Sequence, residues 1–211
     1  MTEKLLLMIA EKYPITPIDG ACVYDLKVSG MKFNIRAYHA EGLGHVSVMT
    51  AKGFFGLMKM DTLIVNPTEV DLPLYSYDRI FAMGNDTLIV ELYDTLSRGD
   101  FSMEDVKAKY SSLTERDPGE HWYDSIKLPE SISKKGKKAD TPALSRLTTE
   151  HLVAYLNAAR PTDNPEVKKE KASLYVEGLL SKGGPSTDAF KKAIGEEKTA
   201  ELFRNILFGT K

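Results

Sequence analysis

Residues 69–94 read EVDLPLYSYDRIFAMGNDTLIVELYD, the densest strand signal in the chain. Two apolar runs, Tyr75–Met83 and Thr87–Tyr93, flank Gly84-Asn85, a strong signal for a tight hairpin turn. Apolar residues fall on both alternating sets, so the hairpin is expected to be buried on both faces. Asp78 breaks the pattern in mid-strand. It shares a face with Ile80 and Ala82, while Arg79, Phe81 and Met83 point the other way. A lone buried carboxylate costs several kcal/mol, or its pKa rises until it holds a proton. Asp78 is therefore a candidate proton donor.

Working outward, Cys22–Val28, Lys32–Tyr38, His45–Thr50 and Leu57–Val65 read as further short strands with tight links, which implies an antiparallel sheet. A helix from Thr2 to about Tyr13 precedes them, stopped by Pro14. After Asp94 the pattern turns helical. Met103–Leu113 is amphipathic, and helices are expected near 145–159, 165–180 and 187–207, the last broken at Gly195. Residues 119–140 read as irregular, ending in the basic loop SKKGKKAD. A sheet apolar on both faces must be covered on both sides. The expected fold class is therefore α/β, a three-layer α/β/α sandwich with a central antiparallel sheet, formed by residues 1–211 as one domain.

With 211 residues, 42% hydrophobic and 27% charged, the chain can bury an ordinary globular core. A net charge of −2 argues against a nucleic-acid partner. The apolar run Leu5–Ala10 is far too short to cross a bilayer. A soluble cytoplasmic protein with no membrane partner is the expectation. Cys22 is the single cysteine, so neither an internal disulfide nor an iron–sulfur cluster is available to this chain. No metal-ligand spacing and no phosphate-cradling glycine motif occurs. Electrons for any redox chemistry would come from outside.

Asp61, in the strand before that of Asp78, would form a coupled acid pair with it if both approach on one face. The plainer reading has either aspartate capping its strand or pairing with Arg79 or Lys59. His39 and His45 flank AYHAEGLGHV and are candidate contacts to a bound carboxylate, although such histidines are more often surface residues. His121 and His151 have no supporting context. Methionines between Met49 and Met60 suit a flat apolar ligand or a plain core. Lys134, Lys135, Lys137 and Lys138 form a basic patch, either a solvated loop or a surface that steers an acidic partner.

The segment EVDLPLYSYD, with its glycine turn and apolar strand, resembles the DLP-hydrophobic-(F/Y)-G-x-D motif of the ferredoxin-dependent bilin reductases. FNIRAYHAEGLGHVSVMTAK is similar to the paired strands upstream of that motif. AFKKAIGEEKTAELFRNILFG is similar to the family's closing helix. The resemblance runs from about Val23 to Phe208 and is weak over 95–150. It implies the same sandwich, a linear tetrapyrrole such as biliverdin between sheet and C-terminal helices, no bound cofactor or metal, and single electrons from reduced ferredoxin or flavodoxin. It makes Asp78 the catalytic aspartate and Asp61 its neighbour, with His39, His45, Met49 and Tyr75 toward the substrate and the lysine patch toward ferredoxin. The family's catalytic histidine falls on Asp61, its buried glutamate near Met49 and a C-terminal aspartate near Gly184, while Ser76-Tyr77-Asp78 replaces G-x-D. Most members are monomers, and a monomer is expected here. The alternative function is a non-catalytic tetrapyrrole or haem carrier on the same fold.

Overall fold

The computed structural model describes residues 1–211, the side chain of Pro185 excepted. Its centre is one antiparallel sheet. The strands are β1 (Ile15–Val28), β2 (Met31–Ala40), β3 (Gly44–Gly53), β4 (Met58–Pro67), β5 (Leu74–Ala82) and β6 (Asn85–Tyr93), followed by β7 (Thr114–Glu115) and β8 (Ile132–Lys137). The first six form a meander, and the order closes β6-β8-β7. Helix α1 (Thr2–Ala10) and helix α2 (Thr141–Asn157) cover one face. Helices α3 (Pro165–Lys182), α4 (Pro185–Ile194) and α5 (Glu196–Glu201), with the π-helical turn Leu202–Leu207, cover the other. This is the three-layer sandwich expected from the sequence.

Side-chain alternation builds the two cores. Leu63, Val65, Tyr75, Tyr77, Leu88 and Val90 pack under α1 and α2. Met49, Ile64, Leu74 and Tyr93 pack under α3 and the C-terminal turn. The helices bring matching stripes, Leu5, Leu6 and Ile9 from α1 and Ala172, Val176 and Leu179 from α3.

Two expectations fail. Residues 103–113 form no α-helix, only a 3₁₀ turn at Ala108–Tyr110. Val106 and Leu113 are the fully buried residues there, and a segment this short is marginal as a helix without a larger apolar stripe to pack. The basic loop is instead strand β8, which pairs Lys135 with Thr87 and Lys137 with Asn85 and so closes the open edge of β6.

Helix α3 lies close against the segment beneath it at Gly178, where an added Cβ would sit 2.2 Å from the Trp122 ring. Trp122 is held in place by its indole N–H, which donates to the Gly183 carbonyl at 3.1 Å. Gly178→Ala should therefore lower stability by about 1–3 kcal/mol, the usual cost of overpacking, visible as a lower urea midpoint.

Candidate active site

The strand register decides which acids meet. Thr62 lies directly opposite Asp78, whereas Asp61 lies opposite Arg79. A shift of one residue turns a side chain to the other face. Asp61 therefore lies on the α1 side, where its carboxylate takes a hydrogen bond from the Met1 ammonium at 3.1 Å. The expected Asp61–Asp78 pair does not form. Asp61→Asn should accordingly leave the pH dependence of any Asp78-linked process unchanged, as a parallel pH titration of both proteins would show.

Asp78 fronts a cavity of about 120 Å³ between the sheet and the C-terminal helices. Its floor comprises Met49, Thr62, Ile64, Ser76, Asp78 and Glu91, and its roof includes Tyr175, Phe190 and Phe203. The Thr62 hydroxyl donates a hydrogen bond to Asp78 Oδ1. Burial pushes the Asp78 carboxyl up to about 6, opposed by the Thr62 bond and reinforced by the Glu91 charge. At pH 7 roughly a tenth of the carboxyl groups then carry a proton. This is a group that stays ionisable yet gives up a proton once a neighbour becomes basic.

The acid that does share this face is Glu91, which the sequence reading missed. It pairs with Ser76, two residues from Asp78, and so stands diagonal to it across β5 and β6. Its Oε2 accepts from the Tyr93 hydroxyl at 2.6 Å, and Lys127 Nζ lies 3.9 Å from Oε1. Tyr93 lies tilted against Tyr175, ring centroids 4.3 Å apart, and meets Tyr123 edge-on at 5.5 Å. Burial raises the phenols of all three tyrosines, keeping them protonated. The signal for Glu91 was the period-two alternation of TLIVELYD, which puts it on the face of Ile89 and Thr87.

The other candidates divide. Met49 and Gly184 line the cavity. His39 does not reach it. It is about half exposed, 3.7 Å from Glu69, at the far end of β2. His45 is buried, but its Nε2–H donates to the Ile206 carbonyl at 2.9 Å. Ser47 donates to Leu207 O and Asn66 to Phe208 O, so β3 and β4 satisfy the last carbonyls of the C-terminal turn. Tyr75 is turned to the opposite face, 4.7 Å from the Tyr155 ring. Lys134 is buried, paired with Glu115 and donating to Leu113 O at 3.2 Å, so it is not a free surface charge. Lys135, Lys137 and Lys138 are exposed. Among the described residues no cluster of three or more metal-ligating side chains occurs, and no helix is long and apolar enough to cross a membrane.

The fold has a solved counterpart. Phytochromobilin synthase from tomato, crystallised with biliverdin, aligns over 100% of this chain and 83% of its own, with a TM-score of 0.72 and 14% identity. The two proteins share one fold. No family model matches the sequence, and no curated protein matches it either.

Proposed function

We propose that this protein reduces a linear tetrapyrrole, with electrons from ferredoxin or a similar acidic one-electron donor. The observation that carries the reading is Asp78, a carboxyl raised to about 6 and facing a hollow between sheet and C-terminal helices. The solved neighbour of the same fold was crystallised with biliverdin, which supports a bilin as the ligand class.

Reduction of one double bond consumes two electrons, delivered singly, and two protons. Each electron makes the conjugated ligand more basic. Asp78 gives its proton at that moment, with Thr62 fixing the orientation of the carboxyl. Glu91, hydrogen-bonded to Tyr93, stands near enough for its charge to raise the Asp78 pKa, and Asp78, reprotonated from solvent, supplies the second proton as well. The tyrosines Tyr93, Tyr123 and Tyr175 supply flat walls. The exposed Lys135, Lys137 and Lys138 offer positive charge to an acidic donor.

The cavity is smaller than the 300–1,000 Å³ or so of typical ligand pockets. Admission of a pigment requires the roof to move, and α4 is the element built to do so. Gly183, at φ 83°, and Gly195, at φ 85°, bracket it, and Phe190 hangs from it into the cavity.

The experiment is anaerobic incubation with biliverdin, ferredoxin and a reducing system, followed by absorption. Turnover is expected. Stoichiometric pigment binding without turnover would select the carrier function instead, which the absence of an Asp61–Asp78 pair favours.

A further inference from the structure

One end of the sheet carries a feature that the cavity chemistry does not use. The hairpin tips β1–β2, β3–β4 and β5–β6 all lie there, and they touch. Gly30, in the first tip, has the Phe54 ring over it, with an ideal Cβ only 3.6 Å from Phe54 Cζ. Met83 N–H, in the third, donates to the Leu57 carbonyl at 3.4 Å in the second. The joined tips expose Phe54 at 53%, Phe55 at 109%, Leu57 at 65% and Met83 at 87%. Phe54, Phe55 and Met83 also hold φ near +50°, where bulky side chains are uncommon. Apolar groups are thus presented outward at a cost in both hydration and backbone conformation.

Directly behind the tips runs a row of lysines. Lys27, Lys32, Lys52 and Lys59 are cross-strand partners in succession on β1, β2, β3 and β4, and all four are exposed. Like charges placed opposite one another destabilise a sheet. Among the described residues one acid, Asp25, lies within ion-pair distance of the row, 3.7 Å from Lys32. The chain as a whole is slightly acidic, so this end is a local concentration of positive charge.

We propose that this pole docks on an anionic membrane surface, with Phe54, Phe55, Leu57 and Met83 inserted among the lipids and the lysine row against the headgroups. Charge complementarity selects an anionic partner and disfavours a second copy, whose own lysines would face these. Shape selects lipid over an acidic protein. Apolar side chains standing free on convex tips, backed by lysines, match the depth order of an interface, acyl boundary first and headgroups behind. The inference is independent of the bilin reading.

The test is co-sedimentation of the full chain with phosphatidylcholine vesicles containing about 30% phosphatidylserine, against pure phosphatidylcholine. Binding is expected to the first alone and to weaken in about 0.5 M salt. The double variant F55S/L57S removes only exposed groups, and it should lose about tenfold in partitioning. K52E/K59E should lose at least as much. Equal partitioning of F55S/L57S and wild type would overturn insertion. Failure of the wild type to sediment with the phosphatidylserine vesicles would by itself overturn the proposal.

Discussion

Asp78→Asn is expected to reduce bilin turnover by about 100-fold or more, the lower end of what a positioned general acid contributes. Asparagine keeps the shape and can still meet the Thr62 hydroxyl, so pigment affinity should change little. Anaerobic single-turnover absorption would separate the two, with binding retained and product formation lost. The wild-type rate should fall above about pH 6 as the carboxyl ionises. A variant that turns over at the wild-type rate would remove Asp78 from the chemistry.

The same substitution should stabilise the fold. The Asp78 pKa is raised from 3.8 to about 6 in the native state, so the folded protein keeps a proton that the unfolded chain loses. Stability linked to this group is therefore present below about pH 4 and declines as pH rises through about pH 6. Above that range the ionised carboxyl costs up to about 3 kcal/mol, a penalty that asparagine escapes. Urea midpoints of the two proteins should converge in acid and separate in favour of the variant at pH 7. The carboxyl is thus held against the interest of stability, as is common where a group serves function.

The largest loss of stability is expected on the opposite face. Arg79 and Asp86 are both 1% exposed, with Nη2–Oδ2 at 2.7 Å. Thr141 Oγ1 donates to the same carboxylate at 2.6 Å, and the Phe81 ring lies 5.4 Å from the guanidinium. Asp86→Ala leaves a buried cation without its partner and should cost about 3–5 kcal/mol. Replacing both, as Arg79→Met with Asp86→Leu, should recover much of that loss, because no charge then remains to desolvate. Urea unfolding of the three proteins checks this. A single variant as stable as wild type would show the pair to be unimportant.

The hairpin at 69–94 shows how far the sequence could be read. Period-two alternation placed Asp78 on the face of Ile80 and Arg79 on the other, and the sheet obeys it. Alternation alone does not align neighbouring strands. The link from β4 to β5 passes through Pro67 and Pro73, and the register it leaves sets Thr62, not Asp61, beside Asp78. That single residue turned a supposed coupled acid into the counter-ion of the N-terminus. Glu91 was legible from its own strand but was overlooked beside the aspartate. The lysine run looked like loop because its charge hid the alternation of Ile132 and Lys134, both of which are buried. A lysine stem can lie against apolar surface while its amine reaches a carboxylate at the edge. The lysine row behind the hairpin tips was invisible in one dimension, since its members lie on four strands.

The most direct test of the central claim, that a pigment lies against Asp78, is the absorption of protein-bound biliverdin followed from about pH 4 to about pH 8, spanning the Asp78 pKa, in wild type and Asp78→Asn. A spectral transition near pH 6 in the wild type, missing from the variant, is the predicted result. Identical titrations in the two proteins, or pigment that does not bind at all, would contradict it.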